Sequence, residues 1–409
     1  MTEAAARRIS HAPAWLDSAI IPWQACSVAQ GVFAMLLLIP GPVTTRPEVK
    51  AAMAQDVAPW DNDTRPHYVA IRSRLLAIAH GDPAVHAALQ LQGCGHFITE
   101  AAVRTFLRPG GRILIPATGP YAERMTRLAT ESGRTVVPLP ISTMEPTRPD
   151  AVAAALAADP TISHVGLVYS ETGSGIVHDV AAVGAVVRAA GRRMIVDAVS
   201  AFGALPLDLS AQPEIDTAVF TANKCLEGMP GLAFALARCD RLLQSAGNAA
   251  SWSFDLADIY QHTLKHFAGS FRFTPPIQVV FALEKALELL DAEGGQPARL
   301  ARYRANMRTL YDGMLSIGLR PYSPREVQGP VVMNVHAPDD PAWSLQPFVD
   351  ALKDEGFLIS NFYDTPTPSF RVGLIGAITP DDMRNFAAAV DTVLHRLGVR
   401  NRAPSRQAA

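Results

Sequence analysis

From about residue 110 the chain alternates short, wholly apolar runs with longer alanine-rich stretches of helical periodicity. RILIPA (112–117), TVVPL (135–139), HVGLVYS (164–170), RMIVDA (193–198), DTAVFTA (216–222) and GLAFALAR (231–238) read as strands. YAERMTRLATES (121–132), PDAVAAALAADP (149–160) and DVAAVGAVVRAAG (179–191) read as helices. A strand without a polar face cannot lie against water on either side, so helices in the connections must cover both faces. The expectation is an α/β fold built on a mainly parallel sheet.

After residue 276 the pattern changes. PIQVVFALEKALELLDAE and QPARLARYRANMRTLYDGMLSIG predict two long helices. Beyond them VVMNVHA, FLISNF and SFRVGLI read as strands, with helices expected at 343–355 and 380–396. The reading is an N-terminal extension (1–36), a large domain (37–290), a smaller α+β C-terminal domain (291–400) and a tail (401–409). A chain of 409 residues is long enough for two such domains.

Composition narrows the function. With 49% hydrophobic and 18% charged residues the chain packs as a globular protein, and a net charge of −2 makes no electrostatic case for nucleic acid or an anionic membrane. The apolar run GVFAMLLLI (31–39) stops at Pro40-Gly41-Pro42, well short of the roughly 20 residues that span a bilayer. The cysteines Cys26, Cys94, Cys225 and Cys239 show neither metal-finger nor CxxC spacing, which predicts a reduced, cytoplasmic setting. WDNDTRPHY (60–68) clusters acids with His67 but matches no loop of defined ligand geometry, so no metal site is expected. His164 reads as a strand-end or core histidine.

Lysine is rare here: of 36 basic residues only Lys50, Lys224, Lys265, Lys285 and Lys353 are lysines. Lys224 follows a strand in FTANKCLEGMPGLAF (220–234), and Asp197 ends the strand before it. Ligands of open parallel sheets collect at the carboxyl ends of strands, so both side chains point to one crevice. A desolvated lysine can lose its proton and attack a carbonyl, which arginine cannot do, while a carboxylate can hold a pyridine nitrogen protonated. That is the division of labour of pyridoxal phosphate enzymes. A surface lysine and a helix-capping aspartate are the plainer alternative. The turn QGCGHFITEAAVRTFL (92–107) offers helix-start amides to a phosphate with Glu100 in the first turn, but it fails the dinucleotide fingerprint: Ile98 sits where the third glycine belongs and no strand with a distal ribose-binding acid is evident.

LLIPGPVTTRPEVKAAM (37–53), YSETGSG (169–175), IVDAVSAFGALPLD (195–208), TANKCLEGMPGLAF (221–234), FRFTPP (271–276) and SFRVGLIG (369–376) together resemble the class V, fold-type I aminotransferases, in family order across residues 37–396. Within that family they are most similar to the branch acting on 2-aminoethylphosphonate and pyruvate. The alanine–glyoxylate and serine–pyruvate branches are more distant. The resemblance implies pyridoxal 5′-phosphate as cofactor, Lys224 as the Schiff-base lysine and proton carrier, and Asp197 as partner of the pyridine nitrogen. It implies a phosphate cup at Cys94, Gly95 and His96, Ser174 near the cofactor's 3-hydroxyl, and Thr274 reaching the phosphate from the second subunit of a homodimer with shared sites. It implies that Arg371 grips the substrate's acidic group, which suits a planar guanidinium. The expected reaction moves an amino group from a small acidic amine to a 2-oxo acid. The alternatives are an alanine/serine–glyoxylate aminotransferase, a related lyase, and a non-catalytic cofactor-binding dimer.

Two departures stand out. The family's cup has serine and threonine where this chain has Cys94 and His96, and NFYDTPTP (361–368) lacks the family's Gly-Lys. His96 can add a charged bond to the phosphate, turn into the substrate pocket, or pack away as a tolerated variation.

Overall fold

The computed structural model describes residues 35–266 and 270–405, and those from Leu36 onward form one compact unit. The expected N-terminal extension, with Cys26, lies outside the described residues apart from its last two positions. The strands are β1 (Leu36–Leu37), β2 (His86–Gly93), β3 (Arg112–Pro116), β4 (Thr135–Leu139), β5 (Ile162–Val168), β6 (Arg193–Asp197), β7 (Ile215–Thr221), β8 (Gly231–Arg238), β9 (Val332–His336), β10 (Phe357–Leu358) and β11 (Ser369–Gly373). Seven of them form one sheet in the order β2-β8-β7-β6-β5-β3-β4, in which β8 alone runs against its neighbours.

Both faces are covered, as the unbroken apolar runs require. Along β7, Ala218 and Phe220 enter one core while Val219, between them, enters the other. The first core is closed by Leu75 and Leu76, by Val183 and Val187, and by Leu283 and Leu287, each pair from one covering helix. The second is closed by Ile98, Val103 and Phe106 and by Ala122 and Met125. In the first core Phe202 stacks on Phe220 with centroids 3.6 Å apart, so the turn after β6 is pinned to β7.

The sequence reading found no strand before the glycine-rich turn, and β2 corrects it. His86, Gln90 and Gln92 break its apolar pattern, so it does not look like a buried strand. The structure supplies the missing partners: Arg72 Nε donates to Gln90 Oε1 at 2.8 Å, and Gln90 Nε2 donates to the Ser270 carbonyl at 3.0 Å. Glu100 also falls beyond the first turn of its helix and instead pairs with Arg104 at 2.7 Å. At the amino ends of the strands buried Asp216 accepts from Arg193 Nε at 2.7 Å and Arg241 Nε at 3.0 Å and meets His164 Nε2 at 3.1 Å. His164 therefore belongs to a structural ion cluster at the opposite end from the crevice.

The C-terminal part has its own core, with Phe348 and Leu352, Phe386 and Val390, and Leu38 from the chain's beginning. Here β9 pairs antiparallel with β11, setting Arg371 opposite Asn334, and β1 pairs with β10. FLISNF is a strand only over Phe357–Leu358. We propose that the boundary between the two bodies lies within helix Gly295–Ser316, somewhat later than expected: its Leu300 packs in the sheet core and its Met307, Leu310 and Met314 in the second. No helix among the described residues is long and apolar enough to cross a membrane.

Helix Gly295–Ser316 also ties the loop after Lys224 to the segment after β11. Glu227, buried at a φ of 59°, accepts from Arg302 Nη2 and Tyr303 Oη, both at 2.7 Å. Arg299 Nη1 donates to the Cys225 carbonyl at 2.6 Å, and Arg302 Nη1 donates to the carbonyls of Gly376 (2.6 Å) and Ile378 (2.9 Å). Breaking a buried pair leaves an uncompensated charge, so it costs more than the pair's net worth. Arg302→Met is expected to destabilise the fold by about 3 kcal/mol, read as a lower urea midpoint; an unchanged midpoint would show that the network contributes little.

Candidate functional site

The site is assembled from turns at the carboxyl ends of the co-directional strands. β2 ends at Gly93, whose φ of +138° and whose missing Cβ both matter: a methyl there would lie 2.4 Å from the Phe97 ring. Cys94 follows in extended conformation and helix Gly95–Phe106 begins. A Cβ on Gly95 would press on Val199 at 3.0 Å, so glycine lets the helix start approach the turn after β6. The amides of Phe97 and Ile98 donate to the Cys94 carbonyl at 3.1 and 3.3 Å, while those of Gly95 and His96, at the very start of the helix, have no intrahelical carbonyl to bond.

β6 delivers Asp197, whose Oδ1 accepts from the Val199 amide at 3.0 Å. β7 runs on through Asn223 to Lys224, held by the Glu227 amide donating to the Lys224 carbonyl at 2.9 Å. From the other side Gly41 crosses against the lysine: a Cβ on it would sit 2.6 Å from Lys224 Cδ, and its φ is +146°. Only glycine combines that backbone with that proximity.

A cavity of about 220 Å³ results, lined by Cys94, Gly95, His96, Asp197 and Lys224 together with Gly41, Thr99, Tyr121, Arg124 and Asn223. Five sequence-predicted residues thus meet in one hollow. Arg124 and Tyr121, which sequence reasoning missed, close it. The Arg124 guanidinium lies 4.6 Å from the Tyr121 ring centroid, and among the described residues it has no hydrogen bond or ion pair. The signal was Tyr121 and Arg124 three apart at the start of a helix expected directly after a strand. That spacing puts both on one face.

Burial sets the protonation of the two central groups. It pushes the Lys224 amine down to about 8, an effect that Arg371 and Arg124 reinforce and Asp197 opposes. It pushes the Asp197 carboxyl up to about 6, against the Val199 amide, Lys224, Arg124 and Thr99. Glu171 behind them is raised to about 7, again by burial, although the Gly173 amide (3.0 Å) and Thr118 hydroxyl (3.2 Å) donate to it. Cys225 beside Lys224 is buried with its thiol 3.4 Å from the Ser200 carbonyl, and burial raises it to about 12. It is inert packing at neutral pH.

Three predicted residues lie elsewhere. Ser174 lines an adjoining hollow, its hydroxyl 3.4 Å from the Ile176 amide. Its neighbour Thr172 turns inward instead, with its hydroxyl 2.7 Å from Ser200 Oγ. Thr274 is exposed, its carbonyl accepting from Gln92 Nε2 at 2.9 Å. Arg371 stands on β11 in a second hollow, about 470 Å³, which shares Lys224, Gly41 and Tyr121 with the first. Lys224 is therefore part of the wall between the two. His67 Nδ1 meets Glu284 at 2.6 Å, and among the described residues no group of three or more His, Cys, Asp or Glu is placed to hold a metal.

The first hollow suits a phosphorylated pyridine aldehyde: helix-start amides and free Arg124 for the phosphate, Asp197 for a ring nitrogen, Lys224 for the aldehyde. Comparison with known proteins agrees. Residues 84–345 match the model of the class-V aminotransferase family. The chain is 42% identical over 364 residues to a 2-aminoethylphosphonate–pyruvate transaminase of Burkholderia ambifaria, covering 89% of this chain and 96% of that one. Among solved structures, pyridoxamine–pyruvate aminotransferase of Mesorhizobium loti superposes with a TM-score of 0.80 at 25% identity, covering 90% and 94% of the two chains. Alanine–glyoxylate aminotransferase of Nostoc sp. gives 0.79 at 25% identity, covering 92% and 100%.

The depressed amine has a direct test. In cofactor-free protein, labelling of Lys224 by an amine-reactive reagent, read by mass spectrometry, is expected to rise as pH climbs through about 8. An ordinary lysine loses its proton near ~10.4, so a midpoint there would contradict the desolvated setting.

Proposed function

The chain belongs to the class-V aminotransferase family, and from that premise we propose that it moves the amino group of 2-aminoethylphosphonate to pyruvate, using pyridoxal 5′-phosphate. The observation that carries this reading is the position of Lys224 between two hollows, one equipped for the cofactor and one holding Arg371. The donor's identity rests on the 42% identity, over nearly the full length of both chains, to the Burkholderia transaminase.

When bound, the cofactor supplies an electron sink for the carbon that loses its proton. The chain's residues supply the rest. Lys224 Nζ, deprotonated more readily than a lysine in water, would be the nucleophile toward the aldehyde and the base that carries the proton lost by the donor. Asp197 would accept the ring N–H and keep that nitrogen protonated. The amides of Gly95 and His96 and the Arg124 guanidinium would hold the phosphate, with the exposed His96 and Cys94 side chains at its rim. Arg371 binds the acidic group of either substrate through charged hydrogen bonds. Ser174 acts through the loop it shares with Thr172, whose carbonyl accepts from Arg371 Nη1 at 3.3 Å.

The reading includes a homodimer. Phe97, beside the cup, meets Phe254 with centroids 5.7 Å apart, and Trp252 meets Phe273 at 5.1 Å. Trp252 is 69% exposed, an apolar surface that a second subunit can cover. It adjoins exposed Thr274, which supports that residue's role toward a second subunit's phosphate. The unpaired Cys94, Cys225 and Cys239 suit a cytoplasmic setting.

Purified enzyme is expected to carry the cofactor's visible absorbance band, and Lys224→Ala to lose it. Alanine should form from pyruvate with 2-aminoethylphosphonate as donor. If other amines give alanine and this one does not, the donor assignment is wrong. Arg371→Ala is expected to raise the donor KM by roughly thirtyfold, the loss of about 2 kcal/mol, with the band retained; an unchanged KM would remove Arg371 from substrate binding.

A further inference from the structure

Arg371 is already engaged. Its side chain is only 2% exposed, and Nη1 donates to Asp364 Oδ2 at 2.7 Å. Phe362 covers the guanidinium with its ring centroid 4.6 Å away, while Nε, buried, has no partner among the described residues. Asp364 and Phe362 both belong to the irregular loop between β10 and β11, the stretch where this chain lacks Gly-Lys. Phe362 is 52% exposed, so the loop lies over the guanidinium without being sunk into the core.

We propose that Asp364 is an internal latch that occupies the anion-binding guanidinium of Arg371 until a substrate's acidic group displaces it. This rests on the reading that Arg371 binds that group. A carboxylate tethered seven positions away in the chain competes at an effective concentration that a free ligand must exceed. The displaced side chain has somewhere to go. Asp364 also lines the adjoining hollow of about 480 Å³, where the hydroxyls of Thr143 and Ser174 can receive a carboxylate. Glu123 lines the same hollow and repels it, and Tyr322 is the remaining titratable residue there. On the Arg371 side the facing charges are Lys224, Lys353 and Asp350. The balance favours return to Arg371 once the ligand leaves.

The latch has a thermodynamic signature. Only the open fraction binds acids, so every acidic ligand is weakened by one common factor whatever its shape or charge. A residue contacting the ligands directly would weaken or strengthen each differently.

Asp364→Asn keeps the shape and removes the charge, and Asp364→Ser removes both. In the holoenzyme we expect both variants to lower, by one shared factor of about tenfold, the KM for 2-aminoethylphosphonate, the KM for pyruvate and the inhibition constant of methylphosphonate. Unchanged or raised constants would overturn the latch and make Asp364 a support that aims Arg371. Factors that differ between ligands would overturn it too, as direct contact. Arg371→Ala, measured in parallel, separates the two readings. If it leaves the affinity for all three acids intact, the role of Arg371 fails first; if it weakens them while the Asp364 variants do not tighten them, only the latch fails.

Discussion

Glu227 is buried with its charge three residues after Lys224, and the pairing that satisfies it sets the geometry of the whole crevice. A lone carboxylate in that position would be strongly unfavourable. Arg299, Arg302 and Tyr303 surround it from one helix, and the donors they have left over fix the Cys225, Gly376 and Ile378 carbonyls. The loop that presents the amine and the segment after Arg371 are thus bolted to a single rod. A planar guanidinium with five donors can serve two carbonyls and two carboxylates at once, which a lysine cannot. That is one physical reason for a chain so rich in arginine to keep lysine for the position where a proton must leave.

The sequence reading succeeded where periodicity is enforced by burial. β8 has the boundaries its apolar run predicts, and β6 lies within a residue of its own, because the interiors of strands covered on both faces tolerate no polar residue. It failed at β2, where buried polar side chains are satisfied by residues distant in sequence, Arg72 and Ser270. No local pattern records such partners. For the same reason Lys224, Asp197 and the Cys94–His96 turn were legible from strand ends and helix starts, while Gly41 was not: its role is to be small beside a lysine 183 positions later.

Ser174 and Thr172 illustrate a finer limit. Both sit in ETGSG, and which hydroxyl turns inward depends on how the bridge between Ser170 and Val177 places the turn. Motif matching selects a position; the backbone decides which side chain occupies the space. Asp364 is the converse case. Its loop first registered as a departure from a family pattern, and its significance came only from the guanidinium that bonds it from seven positions on.

The pairing of β1 with β10 bears on how this chain can be divided. Leu38 is fully buried in the C-terminal core, and Leu36 and Leu37 lie in register with Phe357 and Leu358. The second body is consequently discontinuous in sequence: its packing needs a segment that leaves the ribosome some 320 residues before its partner. A fragment cut at the helix boundary would expose an unpaired strand edge and an apolar slot, both of which invite aggregation. During synthesis the early segment must wait, unpartnered, while the sheet folds. The C-terminal core is therefore complete only when the two distant parts of the chain meet.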